Sequence, residues 1–473
     1  MVCRRQRDAL VGLAMLAPIG SSLAACSSKL APPAMQTKAD SSAGKVDAGT
    51  PWAIKALGCG PAGTQSAVAI SGTTVAFVSL ATTTMTSLCT DMSNGEIAMS
   101  QVPLWNVCYA SGTFGGQYTS QVVTSQPYTG ATGVGIAFDP TGAPTVAYLG
   151  LANPPPGEDC GSNGAFVTTL QGGTWGAPTQ VSQGSMSNGL IMSQAGNCSQ
   201  MVCNLGDVTG IWPAIAYDGM GNAMVPFQDL HFGFGEDDEG KADLELGEAG
   251  GGSYSVLTID VSRGAGTYNR IAIDPAGLPA VLTYNQGSSP GVYLDRQAVP
   301  GSFSAQQATG AWIDQQLFDG QIGPQLGFAI SASGIYGVAY YDSTTYVLQY
   351  IQSTDGITWS PAAIVDNTGD TGYQPSLAFD ADNNPAIAYY RCSSGPATGN
   401  MSGCNNASDG LYMAHRSGTT WTPTLVSAIA NITDGYYPAL GFVNGKAVIA
   451  FQEFSVDDVS QTTSYSWWVA EEP

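Results

Sequence analysis

The chain is 473 residues long and strongly acidic, with 36 Asp and Glu against 14 Lys and Arg and a formal net charge of −22. Binding a phosphate backbone needs clustered Lys and Arg, so this charge excludes nucleic acid as a partner. Beyond the first 25 residues no stretch is long and apolar enough to span a membrane as a helix.

Met1 to Ala25 reads as an export signal: Arg4, Arg5 and Arg7 form a basic start, Val11 to Leu16 is apolar, and small residues precede Cys26. Leu23-Ala24-Ala25-Cys26 resembles the lipobox of bacterial lipoproteins. The resemblance implies that Cys26 is acylated and becomes the mature N-terminus, and that Ser27 directs the protein to the outer membrane of a Gram-negative envelope. Lys29 to Thr50 is rich in Pro, Ala, Ser, Gly and Asp without apolar periodicity. Residues 26–50 therefore read as a flexible tether between the lipid and a folded domain spanning 51–473.

Within that domain a single phrase returns seven times: bulky, small and bulky residues, a tight turn, then a second apolar strand. The clear copies are Ile136-Ala137-Phe138-Asp139, Ile215-Ala216-Tyr217-Asp218, Ile271-Ala272-Ile273-Asp274 and Leu377-Ala378-Phe379-Asp380; Val68-Ala69-Ile70, Leu326-Gly327-Phe328 and Leu440-Gly441-Phe442 are looser. A third strand follows, as in Val347 to Tyr350 or Leu411 to Ala414, and then an outer strand opened by an aromatic, as in Trp175 to Val181, Trp359 to Val365 and Trp421 to Val426. Repetition of four strands at this spacing predicts an all-β fold, a seven-bladed β-propeller of four-stranded antiparallel blades. The small central residue belongs at the hub, where a large side chain would meet the neighbouring blade.

The seventh unit lacks an outer strand after Tyr465 to Ala470, whereas Trp52 to Leu57 has the form of one and precedes the first hairpin. Trp52 to Leu57 is thus expected to complete the last blade and close the ring, leaving no open sheet edge there. The units resemble those of bacterial sialidase-like propellers, and Ser353-Thr354-Asp355-Gly356-Ile357-Thr358-Trp359 resembles the Asp-box of that superfamily, one residue short. In that family the box is a structural turn between the third and fourth strands.

Cys3 and Cys26 aside, eight cysteines remain, an even number that predicts disulfides in an exported protein. Cys392 and Cys404 share one loop and are the best pair; Cys198 with Cys203 and Cys89 with Cys108 are plausible, and Cys59 with Cys160 follows by elimination. No nearby His or CxxC spacing supports a metal at Cys198 and Cys203.

The long insertions, Leu149 to Asn163, Ser182 to Gly210, His231 to Asp243 and Cys392 to Asp409, all join second to third strands or one blade to the next, and so share one face. Function on a rigid scaffold gathers on such loops. The residues expected to ring the channel mouth there are Trp212, Asp229, His231, Tyr268, Arg270, Asp342, Tyr373, Arg391, Tyr436, Tyr437 and Glu453. Aromatic faces beside charged groups suit sugar binding. The competing reading makes the rings wedges between blades and leaves Arg270 and Arg391 to neutralise Asp342 or Glu453.

Sialidases hold a substrate carboxylate with three arginines and use a Tyr nucleophile. Outside the signal the chain has Arg263, Arg270, Arg296, Arg391 and Arg416, and the third-strand positions of Arg296 and Arg416 argue against a converging triad. Asp229, Asp342 and Glu453 leave a two-carboxylate glycosidase open. Glu236, Asp237, Asp238 and Glu239 form an acidic run that either stays solvated or holds Ca2+. His415 is placed on an outer strand without a partner. The resulting expectation is a monomeric, lipid-anchored envelope protein that binds a glycan or protein ligand without catalysis. A glycoside hydrolase is the first alternative and a structural subunit of an envelope assembly the second.

Overall fold

The computed structural model describes residues 51–59, 62–91, 98–127, 133–151, 163–182, 208–230, 242–260, 264–286, 290–298, 312–320, 322–323, 325–392, 409–429, 433–457 and 462–473. Cys26, the tether, His231 and the acidic run from Glu236 to Glu239 lie outside the described residues, as do Cys160, Cys198, Cys203 and Cys404.

Seven antiparallel sheets follow one another along the chain, and no helix occurs among the described residues. A first strand, β1 (Ala53–Leu57), precedes them. Blade 1 is β2 (Ala62–Ser71), β3 (Thr74–Asp91), β4 (Ala98–Thr113) and β5 (Tyr118–Pro127). Blade 2 is β6 (Val134–Phe138), β7 (Pro144–Leu151), β8 (Asn163–Gln171) and an outer strand broken into β9 (Thr174–Trp175) and β10 (Thr179–Gln180). The break falls at Pro178, which has no N–H for the ladder. Blade 3 has an inner strand split into β11 (Val208–Ile211) and β12 (Ala216–Tyr217), then β13 (Ala223–Leu230), β14 (Ala242–Gly250) and β15 (Ser253–Asp260). Blade 4 is β16 (Thr267–Ile273), β17 (Pro279–Asn285), β18 (Gly291–Gln297) and β19 (Trp312–Asp319). Blade 5 is β20 (Gly327–Ile330), β21 (Tyr336–Asp342), β22 (Val347–Ser353) and β23 (Ala363–Asp366); blade 6 is β24 (Asp370–Phe379), β25 (Pro385–Cys392), β26 (Gly410–Ser417) and β27 (Thr420–Ser427). Blade 7 contains β28 (Thr433–Val443), β29 (Lys446–Asp457) and β30 (Thr462–Glu471), and its fourth strand is β1.

The tight turns after the inner strands have a chemical cause. Asp139 Oδ1 accepts from the N–H groups of Thr141 and Ala143 at 2.9 and 2.8 Å, and Asp218, Asp274 and Asp380 close their turns in the same way. In blade 5 Ser331 takes this place, its hydroxyl accepting from Ile335 N–H at 3.0 Å. The core triplet of that blade is therefore Phe328-Ala329-Ile330 and not Leu326-Gly327-Phe328: the copy expected from sequence is out of frame by two residues, because a Ser hides the turn that an Asp marks elsewhere. The Asp-box-like segment is also a turn, with Asp355 Oδ1 accepting from Ile357 and Thr358 N–H at 2.8 and 2.7 Å and from the Ser353 hydroxyl.

Neighbouring blades pack large onto small. The small residue of each inner strand faces the following blade, and the bulky residues on either side face the preceding one. Ala69 joins Ile136 between blades 1 and 2, Ala329 joins Leu377 between blades 5 and 6, and Ala378 joins Leu440 between blades 6 and 7. At Gly441 a Cβ would run into Ile70 of blade 1, and at Gly327 it would lie 3.1 Å from Leu377.

The ring closes as expected from Trp52 to Leu57. β1 pairs antiparallel with β30, Ala53 opposite Glu471 and Leu57 opposite Trp467, and Trp52 packs against the blade 6 and 7 core. Polar contacts carry the seam into blade 1: Lys55 pairs with Glu471 and donates to Gly116 O at 2.8 Å, and Glu471 accepts from Tyr118 Oη at 2.8 Å and Gly115 N–H at 2.9 Å. A Cys59–Cys108 disulfide then ties the residue just beyond β1 to β4. This corrects both Cys89 with Cys108 and Cys59 with Cys160. Cys108 stands opposite Ser79 and Cys89 opposite Ser100, which separates the two roughly 30 Å along the hairpin. Cys392 is disulfide-bonded.

With 49 residues between its ends, the Cys59–Cys108 bond is expected to stabilise the fold by about 4 kcal/mol through chain entropy. Replacing both cysteines with Ser should lower the unfolding free energy by up to that amount, read by denaturant titration. Starting the chain at Gly60 should unfold or oligomerise it; a monomer of unchanged Tm would show that β1 does not close the ring.

Candidate functional site at the channel mouth

In every blade the residue three positions before the first bulky residue of the inner-strand triplet lies in the left-handed region, within the strand or at its edge: Gln65, Gly133, Trp212, Tyr268, Gln325, Gln374 and Tyr437, with φ between 48° and 87°. Six of the seven are not Gly, so the kink costs free energy and is held by its surroundings. In several blades it coincides with a register shift, as between Thr267 and Arg270 and between Tyr436 and Ala439.

The kinked residues meet in the channel. Gln325 donates to Gln65 Oε1 at 2.6 Å, joining blades 5 and 1 across the ring, and Arg270 donates to Gln325 Oε1 at 3.2 Å. Gln374 accepts from Tyr437 N–H at 2.7 Å, and Gln452 donates to Gln65 O at 3.2 Å and Ser79 Oγ at 2.8 Å. Trp212 stands edge-on to Tyr268, ring centres 4.7 Å apart, and Tyr268 stacks at 6.4 Å on Tyr284. These contacts make a plug rather than an open bore.

Of the residues predicted to ring the mouth, Trp212, Tyr268 and Arg270 come together on blades 3 and 4. Tyr373 and Tyr436 form a second group with residues that the sequence did not single out. Tyr373 stacks on Tyr341 at 4.4 Å, and both hydroxyls donate to Asp370, at 3.1 and 2.8 Å. Tyr436 lies nearly parallel to Tyr390 at 4.9 Å. Asp370 and Asp434 begin inner strands and are fully buried. A partial sequence signal did exist: Pro follows Trp212, Gln374 and Tyr437, and Pro has no N–H to give the ladder there.

Two of the predicted carboxylates, Asp342 and Glu453, have hydrogen-bond partners within their own blades. Asp229 is buried on β13 opposite Asp243, and Glu453 accepts from Ser466 Oγ at 3.0 Å on the adjacent strand. Asp342 caps its own turn: burial acts to raise it, but hydrogen bonds from Thr345 and the Thr344 and Thr345 N–H groups outweigh burial and hold it below the usual carboxylate range. Arg391 neutralises neither Asp342 nor Glu453. It meets Asp366 at 3.4 Å and lies 4.3 Å over the Tyr412 ring. His415 is on the third strand of blade 6, not an outer strand, and pairs with Asp380 at 2.9 Å.

Arg270 stands apart. Its guanidinium donates to Asn269 O at 3.1 Å and to Gln325 Oε1, both neutral acceptors, and among the described residues it makes no ion pair. Burial alone lowers it, to about 10, so it remains charged at neutral pH. The tyrosines shift the other way. Burial pushes Tyr268 up to about 12, and burial together with the Asp370 hydrogen bonds pushes Tyr341 far above the ordinary phenol range. They act as neutral hydroxyls.

No known protein family matches the chain, and no curated protein does. Solved structures similar to it include a protein of unknown function from Dyadobacter fermentans, at 10% identity and TM-score 0.43 over 89% of this chain and 99% of that one. The NanB sialidase from Streptococcus pneumoniae is 9% identical, TM-score 0.43, over 89% and 92%. An ulvan lyase of a polysaccharide lyase family is 10% identical, TM-score 0.41, over 72% and 83%. At this level the likeness assigns no residue of the channel mouth.

The buried phenols set a pH limit on stability. Their folded values lie above the ordinary one near 10, so their contribution is complete below about pH 10, where both states hold the proton, and is lost as pH rises further. Tm should be flat from pH 8 to about 9.5 and fall steeply above 10, with phenolate absorbance rising cooperatively with unfolding. Gradual phenolate formation at an unchanged Tm would contradict this burial.

Proposed function

We propose that the protein binds an acidic glycan, without cleaving it, at the loop-bearing end of its channel, and that a lipid on Cys26 holds it at the outer membrane. The observation that carries the reading is Arg270: a guanidinium kept charged at the hub of a strongly acidic chain, facing only neutral acceptors among the described residues. A carboxylate or sulfate on a sugar is the partner it lacks. Tyr268, half-buried and two residues from it on the same strand, offers an aromatic edge for the apolar side of a pyranose, while Trp212 is buried behind it. Binding rather than hydrolysis is favoured because Asp342 caps its own turn, Glu453 accepts from Ser466 of its own blade, and the Tyr341 and Tyr373 phenols are held protonated.

A glycan array probed with the chain from Trp52 onward should give hits among uronate-, sialate- or sulfate-bearing sugars. Arg270→Ala should weaken binding to them roughly 10- to 100-fold, the size of a charge-assisted hydrogen bond, and spare the fold. An array with no acidic hits, or hits indifferent to Arg270→Ala, rules the reading out; turnover of a bound glycan would replace it with the hydrolase alternative.

A further inference from the structure

Away from the channel, Asp260 at the end of β15, Asp295 on β18 and Asp314 on β19 bring carboxylate oxygens within 4.8 Å of one another at the seam between blades 3 and 4. Asp295 has no exposed surface, and among the described residues neither of its carboxylate oxygens has a hydrogen-bond partner. Buried charges are otherwise paired or bound to metal.

The position of Asp295 makes the anomaly specific. In the other blades the residue in the same register on the third strand is Ala110, Thr168, Gly247, Ile351, Ala414 or Ala470. None is charged. The seam between blades 5 and 6 shows what balances such a corner: Asp366, the counterpart of Asp260, accepts from Tyr389 Oη at 2.6 Å and meets Arg391 at 3.4 Å. Where blade 6 supplies Arg391, blade 4 supplies two more carboxylates. Burial, and then repulsion from the neighbouring carboxylates, push Asp314 up to about 6 and Asp295 well above the usual range.

We propose that Asp260, Asp295 and Asp314 bind a calcium ion that bridges blades 3 and 4. Three hard oxygen donors in irregular array suit calcium, and the exposed side of Asp314 leaves its remaining positions to water. This site is distinct from the acidic run Glu236 to Glu239 and independent of the glycan reading.

The test uses the intact protein freed of metal by chelation. Calcium chloride at millimolar concentration should raise Tm by about 3 °C, as expected for a ligand at some hundredfold its Kd on a chain of this size. Terbium, as a stand-in, should luminesce on excitation of Tyr293, which lies on the same face of β18 as Asp295 and senses both Asp260 and Asp314. Asp295→Asn and Asp314→Asn should each abolish both responses and, by relieving repulsion, raise the metal-free Tm. Should Asp295→Asn fail to fold, the exposed Asp314→Asn decides alone. Replacing Asp237 and Asp238 with Asn should leave both responses intact. No response in the unmodified protein, one that survives Asp314→Asn, or one lost in the Asp237/Asp238 variant overturns the proposal.

Discussion

Everything in this ring depends on one contact, a small residue on the inner strand of each blade lying under a bulky residue of the next. Blades stacked around a common axis crowd most where they converge, and close-packed interiors leave no slack for an added methyl group. Ala or Gly on one side and Val, Ile, Leu or Phe on the other fills that wedge without strain, as where Gly441 lies against Ile70 across the closing seam. The same contact explains why the repeat survives when its turns, loops and outer strands vary. Those elements lie farther from the axis, where the wedge widens and substitution is tolerated.

The second constraint acts at the mouth of the channel. A left-handed residue within or at the edge of each inner strand turns the chain before it enters the regular ladder, and side chains from opposite blades then touch, Gln325 with Gln65 most directly. The buried aromatic pairs, Tyr341 with Tyr373 and Tyr390 with Tyr436, brace this layer from the side of blades 5 to 7. The rings described at the mouth, Trp212, Tyr268, Tyr341, Tyr373, Tyr390 and Tyr436, pack against one another as the wedge reading expects, while Arg270 has no ion-pair partner among the described residues.

The blade count, closure by the N-terminal strand and the turn role of the Asp-box-like segment were legible in the sequence because each rests on local pattern. A bulky-small-bulky triplet followed by Asp and a tight turn reports its own geometry, and it misled only where Ser331 replaced the Asp. The channel plug was not legible. Gln65 and Gln325 are 260 positions apart, and nothing local tells that they meet. The disulfide failed for a related reason: Cys59 follows a strand that belongs to the last blade but reaches the first, so its partner follows from ring closure rather than spacing. The role of Asp342 was not legible either, since residue type alone cannot separate an Asp that caps its own turn from one facing a ligand.

Any pull on the chain from its N-terminal side enters the folded domain at Pro51 and loads β1 first. Alone, β1 would be vulnerable, since its five residues pair with β30 on one side only and could be drawn away from the sheet. Because Cys59 lies beyond the far end of β1, the force passes along the strand and through a covalent bond into β4 of blade 1. The seam of the ring would thus take any such load first. Tension that parted the β1 hydrogen bonds would transfer to the long β3–β4 hairpin, with the seventh blade opened but the chain still moored.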